Sequence, residues 1–280
     1  MSFVSGPAFG SAPQVQPPGP ERPRSRAGNL ALGWQLTFKS EEEKALTLTP
    51  EQVHLFRHNG FLKLPGRLSR ERVTQLVETI RQQIREEVAP VVRDKQGRVV
   101  RLSNIWDRGP LFRETVTCPE VLDPLEPLLG PNIELIRNRH NHATLRLAEE
   151  GTEYFHRDVM QWTRTIVTVL FYLEETTVEN GCTVVIPGTH LLPGLGSLPL
   201  AQNEAIQRAG ILDQAVPVPM PAGGLLAIDS LVMHSAGKNN TDGSRMSMTV
   251  GYHSVDELSG VDGPKRVLVR GERIYMGNDR

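Results

Sequence analysis

The chain has 280 residues, with 31 Lys+Arg against 32 Asp+Glu and a formal net charge of −1 at pH 7. That balance excludes a globally electrostatic binder of nucleic acid or of an anionic membrane surface, while 39% hydrophobic and 22% charged residues suffice for a sizeable core. The two cysteines, Cys118 and Cys182, are too few for a disulfide scaffold or a thiolate cluster, and the longest uncharged apolar run, 166–173, falls far short of the ~20 residues of a membrane helix.

Residues 1–45 read as a disordered tail, because Pro7, Pro13, Pro17, Pro18, Pro20 and Pro23 fall among few large apolar groups and burial cannot offset the entropy of ordering. Arg22, Arg24 and Arg26 lie there without a signal-peptide apolar core. The C-terminal Gly-Asn-Asp-Arg lacks the peroxisomal Ser-Lys-Leu address. With two cysteines a reduced intracellular setting is the default, and the cytoplasm is the expected location. Order is expected from 46, as one domain over 46–280, since no linker interrupts 46–270. Thr49 as N-cap and Pro50 at the first position start a short helix that ends at Asn59-Gly60. A strand is expected over 61–64, closed by Pro65-Gly66. Ser69 caps a second helix whose Val73, Leu76, Val77, Ile80, Ile84 and Val88 share one face.

Beyond Ala89 the pattern turns to β. A weak strand over 98–102 and a short helix over 119–129 precede strands at 133–136, 143–147, 165–173, 183–186, 225–228 and 246–251. No βαβ rhythm is visible, so a parallel doubly wound sheet is not expected. The fold class is mainly β with flanking helices: two N-terminal helices on an antiparallel barrel or sandwich.

The chemistry centres on Phe155-His156-Arg157-Asp158. Residues two apart on a strand point to one side, so His156 and Asp158 aim at a common point. An imidazole and a carboxylate suit a divalent metal and lack one further histidine to form a facial triad with three open positions. His234 supplies it, after the apolar strand 225–228. Arg245 follows the turn 238–243 and opens the next strand, so a hairpin would return His234 and Arg245 to one cavity. Arg pairs bidentately with carboxylates. An open metal beside a buried Arg suits an acidic co-substrate that chelates at one end and salt-bridges at the other, the shape of 2-oxoglutarate.

At this point the chain resembles the phytanoyl-CoA dioxygenase family of iron(II)/2-oxoglutarate-dependent oxygenases. The resemblance rests on His156-x-Asp158, His234 and Arg245. It also rests on the block Glu179-Asn180-Gly181-Cys182-Thr183-Val184-Val185-Ile186-Pro187-Gly188-Thr189-His190 and on the opening from Leu48 to Gly66, and covers roughly 46–255. It implies a double-stranded β-helix core of the jelly-roll or cupin kind, with His156, Asp158 and His234 as iron ligands and Arg245 holding the distal carboxylate of 2-oxoglutarate. It further implies consumption of O2, activity sustained by ascorbate, and release of succinate and CO2. A serine often found two residues after the distal histidine is Ala236 here. The polar residue before His-x-Asp that contacts the co-substrate is Thr144 as first choice, with Asn141 and His142 as alternatives. Asp158 leaves no coordination site for halide, so hydroxylation is expected, with desaturation, epoxidation or ring formation as other outcomes of the same centre. A non-catalytic cupin-like binding protein is the rival class. The expected partner is a small molecule, such as a lipid or natural-product intermediate, with no nucleic acid and no membrane; monomer and homodimer both stay open.

Substrate contacts are expected from Arg137 and Arg139, on the strand before the metal strand, where an anion or plain solvation would suit them equally, and from Gln161 and Trp162 on the loop after the metal pair. His140 and His142 read as polar lining, Cys182 as a small buried hydrophobe and His190 as a loop support.

Overall fold

The computed structural model describes residues 46–137, 140–147, 155–159, 166–192, 204–255 and 266–272, all within the unit Lys39–Arg280. Helix α1, Pro50–Asn59, begins at a capping box: the Thr49 side chain accepts from the Gln52 amide and the Gln52 side chain accepts from the Thr49 amide at 2.9 Å. Gly60, at φ 79°, turns the chain into β1, Phe61–Arg67. Ser69 caps α2, Arg70–Arg85, and Val73, Leu76, Val77, Ile80 and Ile84 pack on the core as their spacing predicts. Val88 does not join them. The helix stops at Glu86, Glu87 takes φ 51° and Val88 is half-exposed, because the approach to Pro90 disfavours continued helix.

Strands β2, Val91–Arg93, and β3, Val99–Ser103, form a hairpin. The sequence left α3, Pro110–Val116, unrecognised, since Gly109-Pro110 reads as a turn; Pro110 instead sits at the helix start, where a missing N–H costs nothing. Helix α4, Pro119–Leu129, survives Pro124 and Pro127 because Val121, Leu122, Leu125 and Leu128 are buried. A short helix α5, Glu204–Arg208, follows later.

The remaining strands are β4 Ile133–Ile136, β5 Asn141–Arg146, β6 Ile166–Tyr172, β7 Thr183–Ile186, β8 Val216–Val218, β9 Gly224–Asp229, β10 Met233–Ala236, β11 Arg245–Ser254 and β12 Arg266–Arg270. They form two antiparallel sheets: a nine-stranded one along β1-β9-β6-β11-β5-β3-β2, to which β4 and β12 attach beside β11, and a three-stranded one, β10-β7-β8. This is the double-stranded β-helix core. The large sheet is covered on both faces. Val167, Val169 and Phe171 of β6, Ala227 of β9 and Met246, Met248, Val250 and Tyr252 of β11 join the helices' core, while Leu226, Ile228 and Tyr172 meet Val185 and Val218 of the small sheet. Alternation thus aims every second residue at the space between the sheets.

Two details differ from expectation. His234 and Arg245 are not joined by a hairpin: β10 pairs with β7 in the small sheet, whereas β11 pairs with β4, β5 and β6 in the large one. The turn after β10 carries the chain between sheets, braced by Asn239, whose Nδ2 donates to the Gly243 carbonyl at 2.7 Å. His156 and Asp158 also do not share a continuous strand. His156 forms an isolated bridge to His234, with each amide donating to the other's carbonyl at 3.0 Å, and the Asp158 amide donates to the Ser230 carbonyl at 2.9 Å.

Candidate metal centre

His156, Asp158 and His234 each place one ligand atom within 4.8 Å of the others. The backbone bridge sets the histidine rings side by side, with centroids 4.5 Å apart. His234 Nδ1 meets the Val232 carbonyl at 3.1 Å; donating there leaves Nε2, 3.5 Å from Asp158 Oδ1, as the free lone pair. The Asp158 carboxylate is oriented from behind. Thr168 Oγ1 donates to its Oδ2 at 2.8 Å, Ser230 lies 3.1 Å from the same hydroxyl, and Ser230 donates to the Ile166 carbonyl at 2.9 Å. Burial works to raise the Asp158 pKa, but His234, His140 and the Thr168 hydroxyl outweigh it and hold the carboxyl below its ordinary range. Two imidazoles and a buried carboxylate converging on one point are the donor set of a mononuclear ferrous site with open positions.

The cavity between the sheets, of about 220 Å³, also holds Arg245, Thr144, Tyr172, Thr183, Ser247 and Ala236. Arg245 is 5% exposed, and among the described residues its guanidinium has neither a hydrogen bond nor an ion pair. Burial first, and Arg146 opposite it on β5 second, bring its pKa down to about 10. A buried guanidinium without a counter-charge is costly unless a ligand anion supplies one. Ala236 removes one hydroxyl from this end, but its cross-strand partner Thr183 presents another, held 2.7 Å from the Tyr172 hydroxyl.

Strand phase sorts the other residues. His142, Thr144 and Arg146 of β5 face the cavity. Asn141 faces away, contrary to expectation: its Oδ1 accepts from the Trp106 amide at 3.1 Å and its Nδ2 donates to the Arg137 carbonyl at 2.9 Å, so it braces the turn Ile105–Arg108. Arg137 pairs with Asp107 at 2.6 Å and lines a second depression, of about 190 Å³, which shares Arg101, His140 and His142 with the first. Arg139, Gln161 and Trp162 lie outside the described residues. His190 supports a loop: its Nε2 lies 3.0 Å from the Arg57 carbonyl. Trp106 packs against the core, and Cys182 is buried.

Sequence reasoning missed several cavity residues. Thr168, Tyr172 and Ser247 sit at inward positions of β6 and β11; alternation counted from Arg245 reaches Ser247, whereas nothing in the sequence of β6 anchors its phase for Thr168 and Tyr172. His140 reads from sequence as polar lining, yet its Nε2 is 3.5 Å from Asp158 Oδ1. Arg101 had no signal beyond a weak strand.

Comparisons with known proteins agree with this architecture. The phytanoyl-CoA dioxygenase family model matches residues 56–247. Peroxisomal phytanoyl-CoA dioxygenase of Mus musculus is 26% identical over 264 residues, covering 83% of this chain and 77% of its own. Methylphosphonate hydroxylase of Gimesia maris is 26% identical over 227 residues, covering 75% and 83%. Among solved structures, the non-heme alpha ketoglutarate dependent epimerase SnoN from nogalamycin biosynthesis superposes with a TM-score of 0.64 at 22% identity, covering 81% of this chain and 98% of its own. EctD from S. alaskensis with bound Fe superposes with a TM-score of 0.63 at 18% identity, covering 74% and 77%.

Proposed function

The chain belongs to the phytanoyl-CoA dioxygenase family and is an iron(II)/2-oxoglutarate-dependent dioxygenase of small molecules, and on that premise we propose that His156, Asp158 and His234 hold the iron while Arg245 holds the co-substrate. The observation that carries the assignment is the buried Arg245, without a counter-charge among the described residues, in the same cavity as the three converging ligand atoms. When bound, ferrous iron supplies the activation of O2 that oxidises 2-oxoglutarate to succinate and CO2 and inserts oxygen into a substrate C–H bond.

The protein's part is placement. Thr168 and Ser230 keep the Asp158 carboxylate aimed at the metal. Val232 fixes the His234 tautomer. Arg245 forks the distal carboxylate, with the Tyr172 and Thr183 hydroxyls lining the same cavity. Thr144 on β5 offers a further hydroxyl to the co-substrate. The carboxylate ligand occupies the position that halide rebound would need, so hydroxylation is the proposed outcome.

No described helix is long and apolar enough to cross a membrane. The two free thiols, Cys118 and Cys182, suit a reducing compartment, and we place the enzyme in the cytoplasm. The reading is tested by succinate formation from 2-oxoglutarate with iron(II), ascorbate and O2, with and without candidate substrates. Iron-dependent turnover is expected; if neither turnover nor iron-dependent 2-oxoglutarate binding occurs, the assignment fails.

A further inference from the structure

Two of the metal ligands lean on one short turn. Strand β9 ends at Asp229 and β10 begins at Met233, so residues 230–232 carry the chain from the large sheet to the small one. The Ser230 carbonyl accepts from the Asp158 amide at 2.9 Å and from the Val159 amide at 3.3 Å. The Ser230 hydroxyl lies 3.1 Å from Thr168 Oγ1, the donor to the Asp158 carboxylate. The Val232 carbonyl meets His234 Nδ1 at 3.1 Å. A shift of this turn disturbs the backbone and carboxylate of one ligand and the ring of another.

The side chain that opens the turn also shapes it. Asp229 is fixed in the large sheet: it pairs with Val167 of β6, and its amide donates to the Gly60 carbonyl at 2.8 Å. The backbone closes the turn through the Val232 amide, which donates to the Asp229 carbonyl at 2.9 Å, while the Ser230 amide donates away to the Ile166 carbonyl at 2.9 Å. The Leu231 amide, at the crest, donates to Asp229 Oδ1 at 2.8 Å. An Asp or Asn oxygen that accepts from the amide two residues on stands in for a backbone carbonyl and holds the crest in place.

The charge of Asp229 is not what the turn uses. Among the described residues the carboxylate has no ion pair. Burial raises its pKa above the ordinary value, although the Leu231 amide, His190, Arg57 and Arg157 work against the rise. The surroundings disfavour the anion, and the useful part of the side chain is its acceptor oxygen.

Resting on the dioxygenase reading, we infer that Asp229 is a positioning residue of the metal centre. Its Oδ1, by holding the Leu231 amide, fixes the crest from which Ser230 holds the Asp158 segment and Val232 sets the His234 ring. Asp229 is not among the three converging ligands and acts through these residues.

The test is a series at position 229, followed by anaerobic iron(II) titration and by the charge-transfer absorption that forms on adding 2-oxoglutarate. Asp229→Asn keeps an acceptor oxygen at the same reach and removes the charge, Asp229→Ser offers a weaker acceptor, and Asp229→Ala offers none. Iron is expected to bind Asp229→Asn within about threefold of the wild type and Asp229→Ala roughly 10–100-fold more weakly, with Asp229→Ser between them. At saturating iron and 2-oxoglutarate, the absorption maximum is expected to move in Asp229→Ala and to keep its wild-type position in Asp229→Asn, a signature that lost stability alone leaves in place. Should Asp229→Ala not fold, the Asn and Ser variants decide the matter by the same comparison. Iron affinity and absorption unchanged across the series overturn the proposal. So does an Asp229→Asn protein as impaired as Asp229→Ser, which would assign the role to the charge. A wild-type protein that binds neither iron nor 2-oxoglutarate sinks the dioxygenase reading and this proposal with it, whereas a wild type that binds both, with no dependence on the acceptor, sinks this proposal alone.

Discussion

Arg245 shows how a functional residue is recognised by what it costs. A guanidinium held at 5% exposure without a counter-charge among the described residues opposes folding. Its pKa, brought down to about 10 by burial and by Arg146, says the same: the folded state binds that proton less tightly than the unfolded chain, so the charged form subtracts stability throughout the range below pH 10. Arg245→Met is therefore expected to raise the melting temperature of the metal-free protein while weakening 2-oxoglutarate binding at least tenfold; thermal melts and a binding titration read both, and a lowered melting temperature would mean the guanidinium is already satisfied. Thr168 is the opposite case, a small residue whose hydroxyl aims Asp158. Thr168→Val keeps the shape and removes the donor, and should weaken iron binding by roughly 10–100-fold with circular dichroism unchanged; unaltered iron affinity would show the carboxylate aims itself. The metal ligands were legible because His-x-Asp, a distal His and an Arg are rare together. Thr168 was not, because a threonine in a strand is ordinary. Asn141 was misjudged by strand phase: with β5 beginning at Asn141, its cavity-facing residues are 142, 144 and 146.

Among the elements, the four-residue strand β10 matters most for the site, since it carries His234 and pairs with β7. That pairing is seated by a close approach of two glycines. Gly181 has φ +80°, and a Cβ there would run into the Gly237 carbonyl. Gly181→Ala is expected to cost about 1–3 kcal/mol of stability and to lower iron affinity as well, measured by denaturant unfolding and metal titration; a neutral effect would mean β10 holds its place without the approach. The long elements were legible: α2 from its apolar stripe, β6 and β9 from their β-branched and apolar runs. Short β10 was not, because its Met233, His234 and Ser235 show no alternation and its partner lies nearly fifty residues upstream. The same gap produced the expected hairpin between His234 and Arg245, where the chain in fact passes from one sheet to the other.

At the scale of the molecule, composition and periodicity led to a helix-flanked antiparallel barrel or sandwich, and only the family resemblance specified a double-stranded β-helix. Strand order and sheet membership depend on contacts between distant segments, which local patterns do not encode. That architecture draws the site from both sheets: His234 comes from the small sheet and Arg245 from the large one, with His156 bridged to His234 and the Asp158 carboxylate held by Thr168 of β6. Ligands therefore tie the sheets together. Saturation with iron(II) and 2-oxoglutarate at about 100 times the dissociation constant should add ~2.7 kcal/mol, visible as a melting temperature raised by several degrees and reversed by a chelator; an unchanged melt would deny the link. The most direct test of the centre itself is the visible charge-transfer absorption formed when 2-oxoglutarate is added without oxygen to the iron(II)-loaded protein. The absorption should saturate in the wild type and be lost in a folded Asp158→Ala variant at the same iron and 2-oxoglutarate concentrations; an Asp158→Ala protein that develops it with the wild-type midpoint would contradict the assignment.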